Sequence, residues 1–350
     1  MLTLDYIQDS KKVFDALKDQ QCKFFLTFNG FGAELKFPTI HPGRLESAFQ
    51  VFSKPVIDLM HDCPAHESLA HQKGLNFPLR RLFSTDYQYA GIATDMGIQN
   101  VTFCPSITFP AALSAIEHHR ERDIDVLLAI GTLSPDHTRQ RIDRGTVKGR
   151  LYGAVFDEVT ACAVADWQID PIIELKRVLS SLDITLNYNV PDHRFLLTIT
   201  LDYIKFARRR DLLAALSDLP VTLVPDRSGT YPNSFRIMEA RSATELLGMM
   251  ARSRIVVCPT THNTGHHERP LSAFTASAAV VSAPNRLLSA HFSNGHNIVF
   301  GNNPQAMREH IEKLISDTSR ASEIAARGHD RAMMLYHPAH LVSAILNQIG

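Results

Sequence analysis

The stretch Cys258–Ser282, CPTTHNTGHHERPLSAFTASAAVVS, decides how the rest of the chain is read. An apolar run, Arg254-Ile255-Val256-Val257-Cys258, leads into it with the composition of a buried strand. Pro259–His267 is polar and holds a glycine. Glu268-Arg269-Pro270 then opens a segment rich in Ala and Leu, and Ala279-Val280-Val281 begins a second apolar run. Strand, loop, helix and strand make one βαβ unit. Open α/β sheets bind ligands beyond the carboxyl ends of their strands, where this loop falls. A helix start there presents free backbone N–H groups and a positive dipole end, which suits a phosphate.

The same alternation extends outward in both directions. Towards the N-terminus the pattern predicts a helix over Leu4–Leu17, a strand over Cys22–Phe28 closed by Asn29-Gly30-Phe31-Gly32, and a helix over Pro42–Phe52. Strands follow at Pro55–Met60, Leu82–Ser84 and Val101–Phe103, with a helix over Asp86–Met96. The polar run Ala115–Asp123 reads as a linker, and Asp125–Ile130 starts a second α/β series. Helix starts are marked by Asp170-Pro171, by the capping box Ser242-x-x-Glu245 and by Asn303-Pro304. Phe195–Leu216 reads as helix, Val221–Val224 as strand and Ala339–Ile349 as a terminal helix. Gly145–Asp166 shows no decisive pattern. Strands spaced in this way by helices argue for parallel sheets, not a sandwich.

Composition narrows the function classes. Among 350 residues, Lys+Arg and Asp+Glu both total 36, so no global basic field points to nucleic acid. The five cysteines are scattered without C-x-x-C spacing, which signals neither a zinc site nor a disulfide framework. The first twenty residues carry acidic side chains and no long apolar core, and no apolar run reaches the ~18 residues of a membrane span. The expectation is a cytoplasmic enzyme with no transmembrane segment and no nucleic-acid partner.

Several residues stand where chemistry is expected. Gly30-x-Gly32 follows a strand but lacks the third glycine of a dinucleotide fingerprint, because Leu35 stands there. A tight turn that lines a cleft, with Asn29 and Gly30, is the better reading. Asp62, flanked by His61, lies past a strand end. It can act as base on an acceptor hydroxyl, or it can close an Asx turn. His266, His267 and Glu268 are adjacent, so they point in different directions and one metal cannot easily use all three; a division of roles is a better reading than metal ligation. Glu268 can accept two hydroxyls of a vicinal diol, and Arg269 can meet a diphosphate or brace the loop. The alternative for Glu268 is a first-turn acid that only complements the helix dipole. Gly131-Thr132 after a strand lets backbone approach a ligand. Arg139, Arg141 and Arg144 can neutralise phosphate or form a solvated face, and for Arg208-Arg209-Arg210 the solvated face is the reading.

Three features resemble GT-B glycosyltransferases, most closely the CgeB-like (spore-maturation-protein-like) branch of the glycosyltransferase group 1 assembly. They are Asp123–Gly131 (DIDVLLAIG), Glu268–Leu271 running into Ala273–Ala278 and Val280-Val281, and a tail in which Asn297–Phe300 leads to a helix, Ala325-x-x-Gly328 and a last helix after Tyr336-His337. The resemblance covers roughly Asp123–Gly350. It implies an α/β protein with two Rossmann-like domains whose parallel sheets face each other across a cleft. The acceptor-side domain would span 1–120, with helix 336–350 packing back onto it, and the nucleotide-sugar domain 121–335.

By resemblance, Glu268 would hold ribose or donor sugar. Arg269, His267, Gly265, Gly131, Thr132 and Arg139 would complete the donor site, with no metal and no cofactor. Asp62 and His61 would act on the acceptor. Many relatives carry a second Glu and a Gly where Ser272 and Ser277 stand. The function expected is transfer of a sugar from a nucleotide-sugar to a glycan, protein or small-molecule hydroxyl. The alternatives are a sugar-nucleotide 2-epimerase on the same fold and a scaffold protein without turnover.

Overall fold

A computed structural model describes residue 19 and residues 24–29, 36–38, 45–51, 53–67, 69, 78–108, 122–131, 133–225, 231–259, 264–265 and 267–349. The chain divides into two compact units, one of Met1–Pro105 with Val342–Gly350 and one of Ser106–Leu341. The helix expected over Leu4–Leu17 and residues 115–121 of the linker expected over Ala115–Asp123 lie outside the described residues, as do Gly30, Thr132 and His266.

In the first unit, β1 (Phe25–Phe28), β4 (Val56–Met60), β5 (Arg80–Ser84) and β6 (Val101–Phe103) form a parallel sheet in that order. A small antiparallel pair, β2 (Lys36–Pro38) and β3 (Leu45–Ser47), precedes the short helix α1 (Ala48–Val51). The single helix read over Pro42–Phe52 is therefore corrected. Its described part is strand and then helix, because Leu45–Ser47 finds a strand partner that no local period announces. Helix α2 (Tyr87–Asp95) is capped by Asp86, whose carboxylate accepts the N–H groups of Gln88 and Tyr89.

Strand β4 is buried along its whole length, as parallel strands covered on both faces are. Its central residue is nonetheless Asp58. The register pairs Asp58 with Leu82 and Val56 with Arg80, so Asp58 and Arg80 are diagonal neighbours on one face. The fully buried Arg80 guanidinium donates to the fully buried Asp58 carboxylate.

The second unit holds a six-stranded sheet, with β7 (Ile124–Ile130), β8 (Val221–Pro225), β9 (Arg236–Ile237), β10 (Ser253–Cys258), β11 (Ala279–Ser282) and β12 (Val299–Phe300). The order is β12-β11-β10-β7-β8-β9, all parallel. Its helices are α3 (Pro135–Arg139), α4 (Val147–Ala165), α5 (Pro171–Ser180), α6 (Pro191–Ala215), α7 (Ala243–Ala251), α8 (Glu268–Thr275), α9 (Arg286–His291), α10 (Pro304–Ser316) and α11 (Thr318–Tyr336). Helix α12 (Pro338–Ile349) follows them.

Two apolar clusters cover the two faces of this sheet. One joins Val126, Leu128 and Ile130 of β7 to Leu212, Leu213 and Leu216 at the end of α6 and to Met307 and Ile311 of α10. The other joins Leu127 and Ala129 to Leu247 of α7, Leu271 and Phe274 of α8 and Leu288 of α9. The unassigned stretch Gly145–Asp166 is helix α4, opened by the Thr146 hydroxyl on the Gly149 N–H at 2.8 Å. With 25 residues, α6 is about 37 Å long and outruns the sheet. Its C-terminal part packs on β7, and the helix also packs along α4 and against α5.

The solvated-face reading of Arg208–Arg210 is corrected for two of the three. Arg208 is 1% exposed and donates to the carbonyls of Ala163, Asp166 and Ile169, which closes the end of α4. Burial lowers its pKa to about 10, with Asp166 and Asp170 opposing the shift, so it stays cationic near neutrality. Arg209 donates to the Gly131 carbonyl at 2.7 Å. Arg210 is exposed and paired with Asp211.

Gly328 shows why the tail needs a glycine. A Cβ there would stand 2.7 Å from the Asn297 carbonyl oxygen and 2.8 Å from the Phe274 ring. Gly328→Ala is expected to lower the melting temperature, because overpacking of about 1–3 kcal/mol outweighs the helix-propensity gain of about 1 kcal/mol. A melting temperature at or above the parent's would show that the Asn297 loop yields freely.

Candidate functional site

Two groups of the residues singled out in the sequence gather at strand ends, one in each unit. In the first unit, Asn29 follows β1 with φ 49, a left-handed conformation that Asn tolerates better than most residues. Its side-chain oxygen accepts the His61 N–H at 2.9 Å, and its amide donates to Asp62 Oδ2 at 2.8 Å. Asn29 thereby ties the carboxyl end of β1 to that of β4. The His61 ring stacks on Phe28 with centroids 6.0 Å apart, and its Nδ1 lies 3.4 Å from Thr85 Oγ1 beyond β5.

Asp62 is exposed, and among the described residues no N–H of its own loop bonds its carboxylate. The Asx-turn reading therefore finds no support there. The next residue, Cys63, is buried, and burial raises its thiol to about 12, so it contributes no thiolate.

In the second unit, β7 and β10 lie side by side in parallel register, Leu128 beside Val257. The chain leaves them on opposite faces. From β7 it continues to α6 on one apolar cluster, and from β10 to α8 on the other. Such a divergence leaves a crevice at the carboxyl ends, the topological switch point of an open sheet. Gly131 ends β7 on one side of it, with its carbonyl held by Arg209. The sequence shows Arg209 only as part of a basic run read as a solvated face, because α6 brings it to Gly131 from 78 residues away.

On the other side, β10 ends at Cys258 and α8 starts at Glu268. Glu268 and Arg269 both lie close enough to Cys258 to perturb its thiol electrostatically. Burial raises that thiol to about 12, Arg269 opposes the rise and Glu268 adds to it. His267 caps α8 by accepting the Arg269 N–H at Nδ1, 3.3 Å away, while the same nitrogen lies 3.1 Å from Glu268 Oε2. One Nδ1 cannot serve both at once. The tautomer with a bare Nδ1 caps the helix, and the one with Nδ1–H turns to the carboxylate. The Glu268 side chain is 43% exposed, so it is not packed into the core. The Gly265 carbonyl accepts the Asn285 amide at 3.1 Å, which fixes the loop to the start of α9.

Arg139 is engaged elsewhere in this unit. It meets Asp157 of α4 at 3.1 Å, where Arg144 also docks at 2.9 Å, and these arginines, Arg144 foremost, hold the Asp157 carboxyl below its usual range. Arg141 stands over the Phe195 ring at 5.2 Å. Ser277 adopts φ 54 in the turn between α8 and β11. Arg122 closes that turn by donating to the carbonyls of Ala276 and Ser277.

Residues 208–347 match the family described as glycosyl transferase-like. A search of curated protein sequences found no match. Among solved structures, the chain is similar to an alpha-glucosyltransferase in complex with UDP-glucose and abasic-site DNA, at TM-score 0.51 and 10% identity, over 99% of this chain and 84% of that one. It is also similar to HepE of Anabaena in complex with UDP-glucose, at TM-score 0.48 and 13% identity, over 86% and 74% of the two chains. The sucrose-phosphate synthase of Thermosynechococcus elongatus matches at TM-score 0.42 and 13% identity, over 86% and 70%. The expected fold class holds: an α/β chain with two parallel sheets, matching GT-B glycosyltransferases. Among the described residues no helix is long and apolar enough to cross a membrane.

Proposed function

We propose that the chain is a metal-independent glycosyltransferase that binds a nucleotide-sugar at the carboxyl edge of its six-stranded sheet and transfers the sugar to an acceptor hydroxyl. One observation carries the reading: β7 and β10 adjoin while their crossovers diverge, so Gly131 and the loop ahead of Glu268 flank the switch point. The glycosyl transferase-like match over 208–347 contains this loop and α8.

In this reading Glu268 accepts the hydroxyls of ribose or donor sugar. The departing diphosphate is met by the N-terminus of α8 and by Arg269, with Arg209 behind Gly131. These fixed charges and dipoles stabilise the leaving group where charge develops, with no further reorganisation at the moment of reaction. Asp62 takes the acceptor proton, with His61 beside it.

The test is a thermal-shift screen against UDP-, GDP-, ADP-, dTDP- and CMP-sugars. One nucleotide is expected to stabilise the chain by about 2.7 kcal/mol at about 100 times its Kd. Glu268→Ala is expected to weaken that donor by about tenfold or more, or about 1.4 kcal/mol, and to leave the apo melting temperature unchanged because the side chain is half exposed. Slow hydrolysis of the selected donor without acceptor would favour transfer. A chain that responds to none of the five would have no donor site.

A further inference from the structure

A cavity of about 620 Å³ opens between the carboxyl ends of β11 and β12, the loop that joins α4 to α5, and Thr264 of the loop after β10. It lies on the β11–β12 side of β10, away from Gly131 and β7. Its size is that of a small-molecule site, roughly 300–1,000 Å³.

The lining chemistry is mixed, not of one sign. Asp170 and Gln168 come from the loop that joins α4 to α5, Arg286 from the start of α9, and Asn302 and His310 from the segment after β12, with Phe300 as the apolar wall. Asp170 caps α5 with one carboxylate oxygen, which accepts the N–H groups of Ile172 and Ile173 at 2.8 and 3.1 Å. The other oxygen, Oδ2, is buried and has no hydrogen-bond partner among the described residues. Trp167 Nε1 and one terminal nitrogen of Arg208, beside it, are in the same condition. None of these three atoms is accessible, so they lie behind the cavity wall and a ligand in the cavity does not bond them. Arg286 and His310 form no ion pair with the described residues, so their donors are available.

We propose that this cavity is a saccharide-binding subsite for a neutral mono- or disaccharide. A pyranose presents hydroxyls that both donate and accept along its edge and an apolar C–H face. The site answers with amides at Gln168 and Asn302, donors at Arg286 and His310, and the Phe300 wall. A polyanion would meet a carboxylate backed by a single arginine at the mouth, which argues against a phosphate-rich ligand. The subsite is tied to the loop ahead of Glu268 by the Asn285–Gly265 hydrogen bond. Thr264 of that loop lines the cavity, so the subsite borders the switch-point site, while its other lining side chains come from the β11–β12 side and from the α4–α5 loop.

The test is titration of the full chain, by saturation-transfer NMR and calorimetry, with the methyl glycosides of glucose, galactose, mannose and N-acetylglucosamine and with maltose, lactose and chitobiose. At least one is expected to bind. Gln168→Ala, which removes an exposed amide from the lining, is expected to weaken it about fivefold with no change in melting temperature. Arg286→Ala, at an exposed position, is expected to weaken it with no change in melting temperature. Glu268→Ala is expected to leave glycoside binding within about twofold while it weakens the nucleotide-sugar.

The inference is overturned if no saccharide binds, if both cavity variants bind like the parent, or if inorganic phosphate displaces the glycoside. Loss of glycoside binding in Glu268→Ala would place the saccharide at the switch point and overturn the separate subsite, while the transferase reading would stand.

Discussion

Asp62→Asn is expected to lower kcat by roughly 10²–10⁴-fold, the usual contribution of a positioned general base. The readout is hydrolysis or transfer of whichever nucleotide-sugar the thermal screen selects. The substitution is nearly isosteric. The Asn29 amide, which donates to Asp62 Oδ2 at 2.8 Å, still finds a carbonyl oxygen on the substituted side chain, so the strand-end tie survives. Donor affinity and melting temperature are expected to stay at parental values, because the carboxylate is exposed and belongs to the other unit from Glu268. His61→Gln separates the two candidates. Parental turnover in Asp62→Asn with a collapse in His61→Gln would move the base to the imidazole. Parental turnover in both would remove this cluster from the chemistry.

The second large effect is on stability. Asp58→Ala or Arg80→Ala is expected to destabilise the first unit by about 3–5 kcal/mol, since each strands a buried charge in a strand covered on both faces. The double replacement Asp58→Leu with Arg80→Met is expected to recover most of that loss, because the attraction between two buried charges only offsets their desolvation. A chain of two units need not unfold in one step. Hydrogen exchange at the amides of β4 and β5 is therefore the measurement, and it isolates the unit concerned. Single variants that lose less than about 1 kcal/mol would show that water reaches the pair.

Much of the local architecture is written in short-range signals. Asp86, Asp170-Pro171, Ser242 with Glu245, and Asn303-Pro304 start helices where the sequence places them, each with its capping bond formed. Glu245 also accepts the Arg241 N–H at 2.7 Å, one residue ahead of the Ser242 N–H that a reciprocal box would use. The strands DVLLAI, RIVVC and AVVS read as continuous apolar runs because both of their faces are covered. The polar loop ahead of Glu268 and the cluster of Asn29, His61 and Asp62 were legible for a related reason. Chemistry in open sheets sits just past such strands. Helix α4 escaped because its apolar positions include Gly149, Gly153 and Ala163, which give a weak period.

The sequence by itself determined that strands and helices alternate, that the sheets are parallel, and that Glu268 opens a helix after a buried strand. Only the tertiary structure decided which strands are neighbours. β7 lies beside β10, and Asp123 meets Arg252 across 129 residues of chain. That choice creates the switch point, sets Arg209 on Gly131, buries Arg208 and Asp58, and brings Asp170 to the rim of a cavity with Phe300 and His310. The physical reason is range. Caps, periods and apolar runs act over a few residues and leave a local imprint, whereas strand order and the pairing of buried charges come from packing between segments far apart in the chain.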